Sequence, residues 1–190
     1  MGMLDRLRVL FGFRNGYDLA GNPKEYGLWL GGRDLRAWIE PEKVPAFSSL
    51  NAAWSYLKDN QTYITDEVRF GRREHWQSVE EYQTRTEQYD AFAGDCEDST
   101  IWLLSALIKT SYLARGVVGF LGDWEKRRLR QQGKEEPYNH TWVMVPVHGK
   151  QWIMESTDKK AKLIRADVAP QYIPVYSWNR AEIFVHKEKR

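Results

Sequence analysis

The order of hydrophobic periodicities predicts an α+β domain, with helices first and an antiparallel β-sheet after them. Helical stripes with capping signals run from Ser48 to about residue 114. Short runs of β-formers separated by turns then fill residues 117–186. A chain of 190 residues suits a single domain.

The elements follow in order. Residues 1–45 read as an N-terminal extension, ahead of a domain over 46–190. Leu4, Leu7, Leu10 and Phe11 sit at helical spacing and predict a short amphipathic turn. Gly12, Asn15, Gly16, Gly21, Asn22 and Pro23 then read as loop, and Pro41 and Pro45 punctuate the end of the extension. Ser48-Ser49 forms an N-cap before Leu50, Ala53, Trp54 and Leu57, an i, i+3, i+4, i+7 stripe. Ser78-Val79-Glu80-Glu81 is a capping box and predicts a helix through about Arg85 or Glu87. A buried helix should open at Gly94-Asp95-Cys96 and end near Ala114-Arg115-Gly116, with Ile101, Leu104, Leu107 and Ile108 on one face.

Val117 to Leu121 is rich in β-formers and reads as a strand. Residues 122–138 are polar and read as a loop. Strands are expected over 139–147 and 151–155, joined by a tight turn at His148-Gly149-Lys150. Two more are expected over 172–178 and 182–186, flanking Asn179-Arg180.

Composition narrows the function classes. Hydrophobic residues make up 42% and charged residues 28%, the balance of a globular rather than a disordered chain. Nine Trp and ten Tyr point to a core built on rings, with a groove for an extended chain as a further use. A net charge of +2 calls for no polyanionic partner. Lys126-Arg127-Arg128 with Arg130 reads as a solvated loop, and a nucleic-acid role for 126–134 beside Trp124 is the weakest reading. No apolar run is long enough for a membrane span, and the charged first residues lack the core of a secretory signal. The expectation is a cytoplasmic protein with a protein or peptide substrate. No cofactor is expected, and one Cys with scattered His gives no zinc spacing.

Chemistry concentrates at Cys96. It follows Gly94-Asp95 at a helix start, where unpaired N–H groups and the helix dipole favour a thiolate. Its backbone N–H could also face an oxyanion. Glu97 and Asp98 oppose the thiolate, so position alone does not decide reactivity. A lone cysteine is more often an inert buried thiol. His140, opening the strand at Asn139-His140-Thr141-Trp142-Val143, is the candidate base. His75, His148 and His186 compete less well, lying before a helix, in a turn and near the tail.

The base needs an acid to orient its other nitrogen, and the hairpin offers Glu155 and Asp158. Turn length decides between them. A two-residue turn at His148-Gly149 sets Glu155 opposite Trp142, on the same face as His140 and diagonal to it. A three-residue turn sets Asp158 opposite His140 and points Glu155 away. Glu155 is preferred, because Asp158-Lys159-Lys160 resembles a strand exit.

Gly94-Asp95-Cys96-Glu97-Asp98, then Asn139-His140-Thr141-Trp142-Val143, then Trp152-Ile153-Met154-Glu155-Ser156-Thr157 resembles the transglutaminase-like superfamily. The nearest branch by this likeness is the bacterial transglutaminase-like cysteine proteinases. Their pattern is Gly-x-Cys-x-Asp at a helix start, His-x-Trp-Val on a strand, and a Trp followed by an acid, commonly in Asp-Pro-Thr. Leu113-Ala114-Arg115-Gly116-Val117-Val118-Gly119 also resembles the family's helix-to-strand crossing. The likeness covers roughly residues 50–160. It implies a transglutaminase-like, papain-like core with a Cys96, His140 and Glu155 triad. The acid departs from the pattern, being Glu155 in Glu-Ser-Thr. The family's second oxyanion donor can be an indole or amide upstream of the cysteine, for which Trp76 and Gln77 are the candidates.

The implied reaction is attack of Cys96 on a peptide or Gln amide, a thioester, and its resolution by water or by an amine. Hydrolysis by a protease or amidase is favoured over transglutaminase acyl transfer. The alternative is a non-catalytic scaffold or structural binding module on the same fold, in a larger assembly such as a viral one.

Overall fold

A computed structural model describes residues 29–30, 33–72, 75–89, 92–122 and 139–186. The expected turn at residues 4–11 and the basic run at 126–130 lie outside the described residues.

The Ser49 hydroxyl accepts the Ala52 N–H at 3.1 Å and starts helix α1, Leu50–Asn60. The stripe read from the sequence is the buried face, Leu50, Ala53, Trp54 and Leu57. The first described strands are the short pair β1, Trp29–Leu30, and β2, Arg33–Asp34. After α1 come strand β3, Gln61–Tyr63, and the short helix α2, Asp66–Phe70. Ser78 caps helix α3, Val79–Gln83, through the Glu81 N–H at 3.1 Å. That helix stops before the expected Arg85, where the Thr84 hydroxyl donates back to the Glu80 carbonyl at 2.8 Å and the Thr84 backbone turns extended.

Strand β4, Phe92–Gly94, pairs in parallel with β3 and leads into helix α4, Cys96–Lys109. Helix α4 is buried on nearly every side. It ends earlier than the glycine at 116 suggested. Ser111 takes a left-handed φ of 66°, and the Tyr112 N–H closes onto the Leu107 carbonyl at 3.0 Å, a reversal carried by a serine instead of a glycine.

The larger sheet contains β5, Arg115–Leu121; β6, His140–Val147; β7, Lys150–Met154; β8, Ile164–Arg165; β9, Tyr172–Trp178; and β10, Ile183–Val185. Its order is β10-β9-β5-β6-β7-β8, with antiparallel neighbours throughout. The predicted class, helices followed by an antiparallel sheet, is the observed one. Alternation splits the sheet's two faces. Val118, Val143, Val145, Met154 and Trp178 join α1 and α4 in the main core. Val117, Trp142 and Ile153 form a second cluster with Ala169 and Tyr172.

Part of the expected extension belongs to the main core. Leu35, Trp38, Ile39 and Val44 are buried with α1 and α4. Glu40 ties them down: its N–H donates to the Ser105 hydroxyl of α4 at 3.0 Å, and its carboxylate accepts the Val79 N–H of α3 at 2.9 Å. The domain therefore recruits residues on the N-terminal side of 46, because four apolar side chains there complete the cover over α4.

Candidate active site

The β6–β7 hairpin places the acid. Its turn holds two residues, His148 and Gly149, with φ of 50° and 75°. Positive φ at both central positions is the hairpin turn whose twist suits its strands. Val147 then pairs with Lys150, and Val143 with Met154. This two-residue register sets Glu155 on the face of His140, and His140 Nε2 meets Glu155 Oε2 at 2.9 Å. Asp158 lies elsewhere, exposed and accepting the Lys160 N–H at 2.8 Å.

The Glu155 carboxylate is fully engaged. Oε2 also accepts the Tyr172 hydroxyl at 3.0 Å. Oε1 accepts the Thr157 N–H at 3.1 Å and the Thr157 hydroxyl at 2.8 Å. Burial disfavours its charge, but the bonds from His140 and Thr157 outweigh that and hold its pKa down at about 2. The stability this gives is present above the ordinary glutamate range and lost as pH falls through about 2. The difference in urea midpoint between wild type and Glu155→Gln should stay constant from about pH 7 to pH 5, then shrink at lower pH. A difference that is flat across the whole acid range would show that the carboxylate is not held ionised.

The imidazole is supported by its neighbours. The Trp142 ring lies 6.0 Å from it in a near-parallel arrangement, and Tyr172 packs on Trp142 at 5.3 Å. With Nε2 donating to Glu155, the other ring nitrogen, Nδ1, is left able to accept a proton.

Cys96 is half-buried at the first position of α4. Its thiol donates to Glu97 Oε2 at 3.3 Å, and Thr141, the residue after His140, lies close enough to the sulfur to favour its thiolate, while the Thr141 hydroxyl itself donates to the Thr100 hydroxyl at 3.2 Å. The start of β6 is thus shared: Thr141 meets the sulfur while His140 holds the acid. Burial, then the charges of Glu97 and Asp95, push the thiol well above its ordinary pKa, against a weaker pull from Thr141. The thiolate expected from the helix terminus is overruled first by burial and then by the two adjacent acids. Any nucleophilic use of this sulfur would therefore need a base to take its proton.

Beneath Cys96 lies a polar pillar. Asp98, buried, accepts the Gln77 N–H at 2.8 Å, the Gln77 side-chain amide at 2.5 Å and the Asp95 N–H at 3.3 Å. The same amide donates to the Ala93 carbonyl at 3.0 Å, which uses both its protons. Gln77 therefore has no donor left for an oxyanion. Trp76 is buried against Trp38 and Trp178, with ring centroids at 5.9 and 6.5 Å. Gly94 is required here, because a Cβ would collide with the Asp98 carboxylate and the Gln77 amide. Gly94→Ala is expected to lower stability by about 1–3 kcal/mol through overpacking, read as a drop in urea midpoint at unchanged slope. An unchanged midpoint would mean that the pillar gives way without cost.

Asp66, Asp95 and Asp98 bring carboxylate oxygens within 4.8 Å of one another, and Asp95, Cys96 and Glu97 form a second such group. Asp66 is 1% exposed, and its Oδ1, like Asp95 Oδ1, is buried without a hydrogen-bond partner. Burial and the charge of Asp95 raise the Asp66 pKa to about 6. Asp66, Thr141, Thr157 and Tyr172 were not singled out in the sequence. Only Thr157, beside Glu155 in Glu-Ser-Thr, carried a local signal.

The fold that carries this site is transglutaminase-like. EGTA-treated LapG of Legionella pneumophila superposes with a TM-score of 0.52 at 20% identity, over 74% of this chain and 67% of LapG. A second Legionella pneumophila LapG structure gives 0.50 at 20%, over 72% of this chain and 65% of LapG. No protein-family model and no curated protein matches the chain. Among the described residues no helix is long and apolar enough to cross a membrane.

Proposed function

We propose that the protein is a transglutaminase-like cysteine peptidase or amidase, nearest in kind to the bacterial transglutaminase-like cysteine proteinases. The observation that carries this is the saturated Glu155 carboxylate on His140 Nε2, next to a residue that touches the Cys96 sulfur. A buried acid with four donors is an orienting device, and what it orients is an imidazole. Cys96 is the nucleophile, His140 Nδ1 takes its proton, and Glu155 keeps that nitrogen unprotonated. The Cys96 sulfur attacks the amide carbonyl carbon, and the carbonyl electron pair moves to oxygen. Collapse expels the amine, which takes the proton from His140, and leaves a thioester. Water then resolves the thioester. The transglutaminase-like fold shared with LapG is a scaffold on which this chemistry can sit. The cytoplasmic placement expected from the sequence draws no support from the fold.

The test is intact-mass detection of an acyl adduct on Cys96 after exposure to p-nitrophenyl acetate, with and without hydroxylamine. An adduct that decays in water supports hydrolysis, whereas one that persists until the amine is added supports acyl transfer. Folded protein without an adduct overturns the reading. The scaffold alternative is favoured by one observation, the raised thiol pKa with its S–H turned to Glu97.

The three aspartates fit a hard divalent cation. Oxygen-only ligands and two orphaned carboxylate oxygens are what calcium selects. Asp66, Asp95 and Asp98 would hold it, and its charge would offset the acids that oppose a thiolate at Cys96. Millimolar calcium is expected to raise the melting temperature by about 3 °C or more at pH 7.5. The shift should be smaller at pH 5, where Asp66 is protonated, and absent in Asp66→Asn. A calcium-independent melting temperature would remove the site.

A further inference from the structure

The reaction above needs a second hydrogen-bond donor at the oxyanion, beyond the backbone N–H of Cys96. Gln77 is consumed by Asp98 and Ala93, and Trp76 is packed in the core. We propose that the phenol of Tyr63 is that donor, the group that meets the carbonyl oxygen of the acyl substrate as Cys96 attacks.

Strand geometry directs Tyr63 to the site. Along β3, Gln61 and Tyr63 share a face. Gln61 is buried on that face: its amide donates to the Ser156 carbonyl and its oxygen accepts the Tyr82 hydroxyl at 3.1 Å. Ser156 follows Glu155, and its hydroxyl accepts from Ser99 in the first turn of α4 at 2.9 Å. The face of β3 that carries Tyr63 therefore looks onto the start of α4 and the exit of β7. Tyr63 stands one step nearer the nucleophile. It is in register with Gly94, and the next residue, Ile64, donates its N–H to the Gly94 carbonyl at 2.9 Å.

Its environment agrees. Tyr63 is 52% exposed, and its hydroxyl has no hydrogen-bond partner among the described residues. Burial of the phenol, then the charges of Cys96, Asp95, Glu97 and Glu155, raise its pKa, so it stays a proton donor over the whole working range. Those groups are the sulfur itself and three acids near it. A phenol with an idle O–H, half open to solvent and in the field of the attacking sulfur, is placed to receive a substrate oxygen.

The proposal rests on Cys96 and His140 acting as described, and the test separates the two ideas. Iodoacetamide alkylates the sulfur by direct displacement at carbon, with iodide leaving and no oxyanion formed. Acylation by p-nitrophenyl acetate forms an S–C bond and pushes the carbonyl pair onto oxygen before p-nitrophenolate leaves. Only the second reaction uses an oxyanion donor. Tyr63→Phe is expected to slow acylation by about tenfold to a hundredfold while alkylation stays within about twofold, somewhat less than the cost of a fully enclosed donor. Equal losses in both reactions would make Tyr63 a support for the thiol and overturn the proposal, as would no loss in either. Wild-type acylation that does not depend on His140 would overturn the nucleophile reading itself, and Tyr63 with it.

Discussion

Replacing His140 with alanine is expected to slow acylation of Cys96 by p-nitrophenyl acetate by about 10²–10⁴-fold at neutral pH, the range that a positioned general base contributes. The size follows from the state of the sulfur. Burial and the charges of Glu97 and Asp95 hold the thiol protonated. An enzyme with a preformed thiolate could lose its base and still attack an activated ester. Here the proton must be removed as the bond forms, so the base carries the step. Stability should fall as well, because the imidazole is only 12% exposed and its removal leaves the buried Glu155 carboxylate short of a donor, so rates are compared on folded protein. A loss of less than about tenfold would mean that another group takes the proton, and Glu97 at 3.3 Å from the sulfur would be the first to examine.

Glu155→Gln is expected to cost about 10²–10⁴-fold in the same assay, through a different cause. The carboxylate accepts four bonds and donates none. An amide must turn its NH₂ toward one pair of donors. Facing Thr157 it meets a backbone N–H that cannot turn away. Facing Tyr172 and His140 it meets a hydroxyl that can rotate and a ring that can change tautomer. The second arrangement is the less costly, and it moves the ring proton from Nε2 to Nδ1. The nitrogen that should accept the thiol proton is then already protonated. The signature is a fall in the acylation rate with no loss of ester binding. A proton NMR signal for the ring N–H should also shift from one nitrogen to the other. Unchanged activity would show that Glu155 only fills space.

Much of the site was legible because it is local. Cys96 at a helix start followed from Gly94-Asp95 and the apolar stripe behind it. The choice between Glu155 and Asp158 reduced to the length of one turn, and His148-Gly149 made it two residues. Other groups were not legible because they arrive from distant segments without fixed spacing. Tyr172 reaches Glu155 from β9, and Asp66 joins Asp95 from α2. The engagement of Gln77 with Asp98 depends on a close approach that Gly94 permits. Helix α4 ended early because a serine took the left-handed position usually read from glycine. The ionisation of Cys96 turned on how deeply the sulfur is packed, with Glu97 and Asp95 adding to it, and a helix-terminus argument does not see that burial.

The pH dependence of Cys96 alkylation by iodoacetamide, in wild type and in His140→Ala, reports whether His140 serves the sulfur. The account predicts labelling of the wild type at pH 7 that falls by about tenfold or more without His140. In the variant, labelling should return only at a pH above the free-thiol range of about 8.5. Two superimposable profiles, both rising only in that alkaline range, would contradict it and leave Cys96 an ordinary buried thiol on a scaffold.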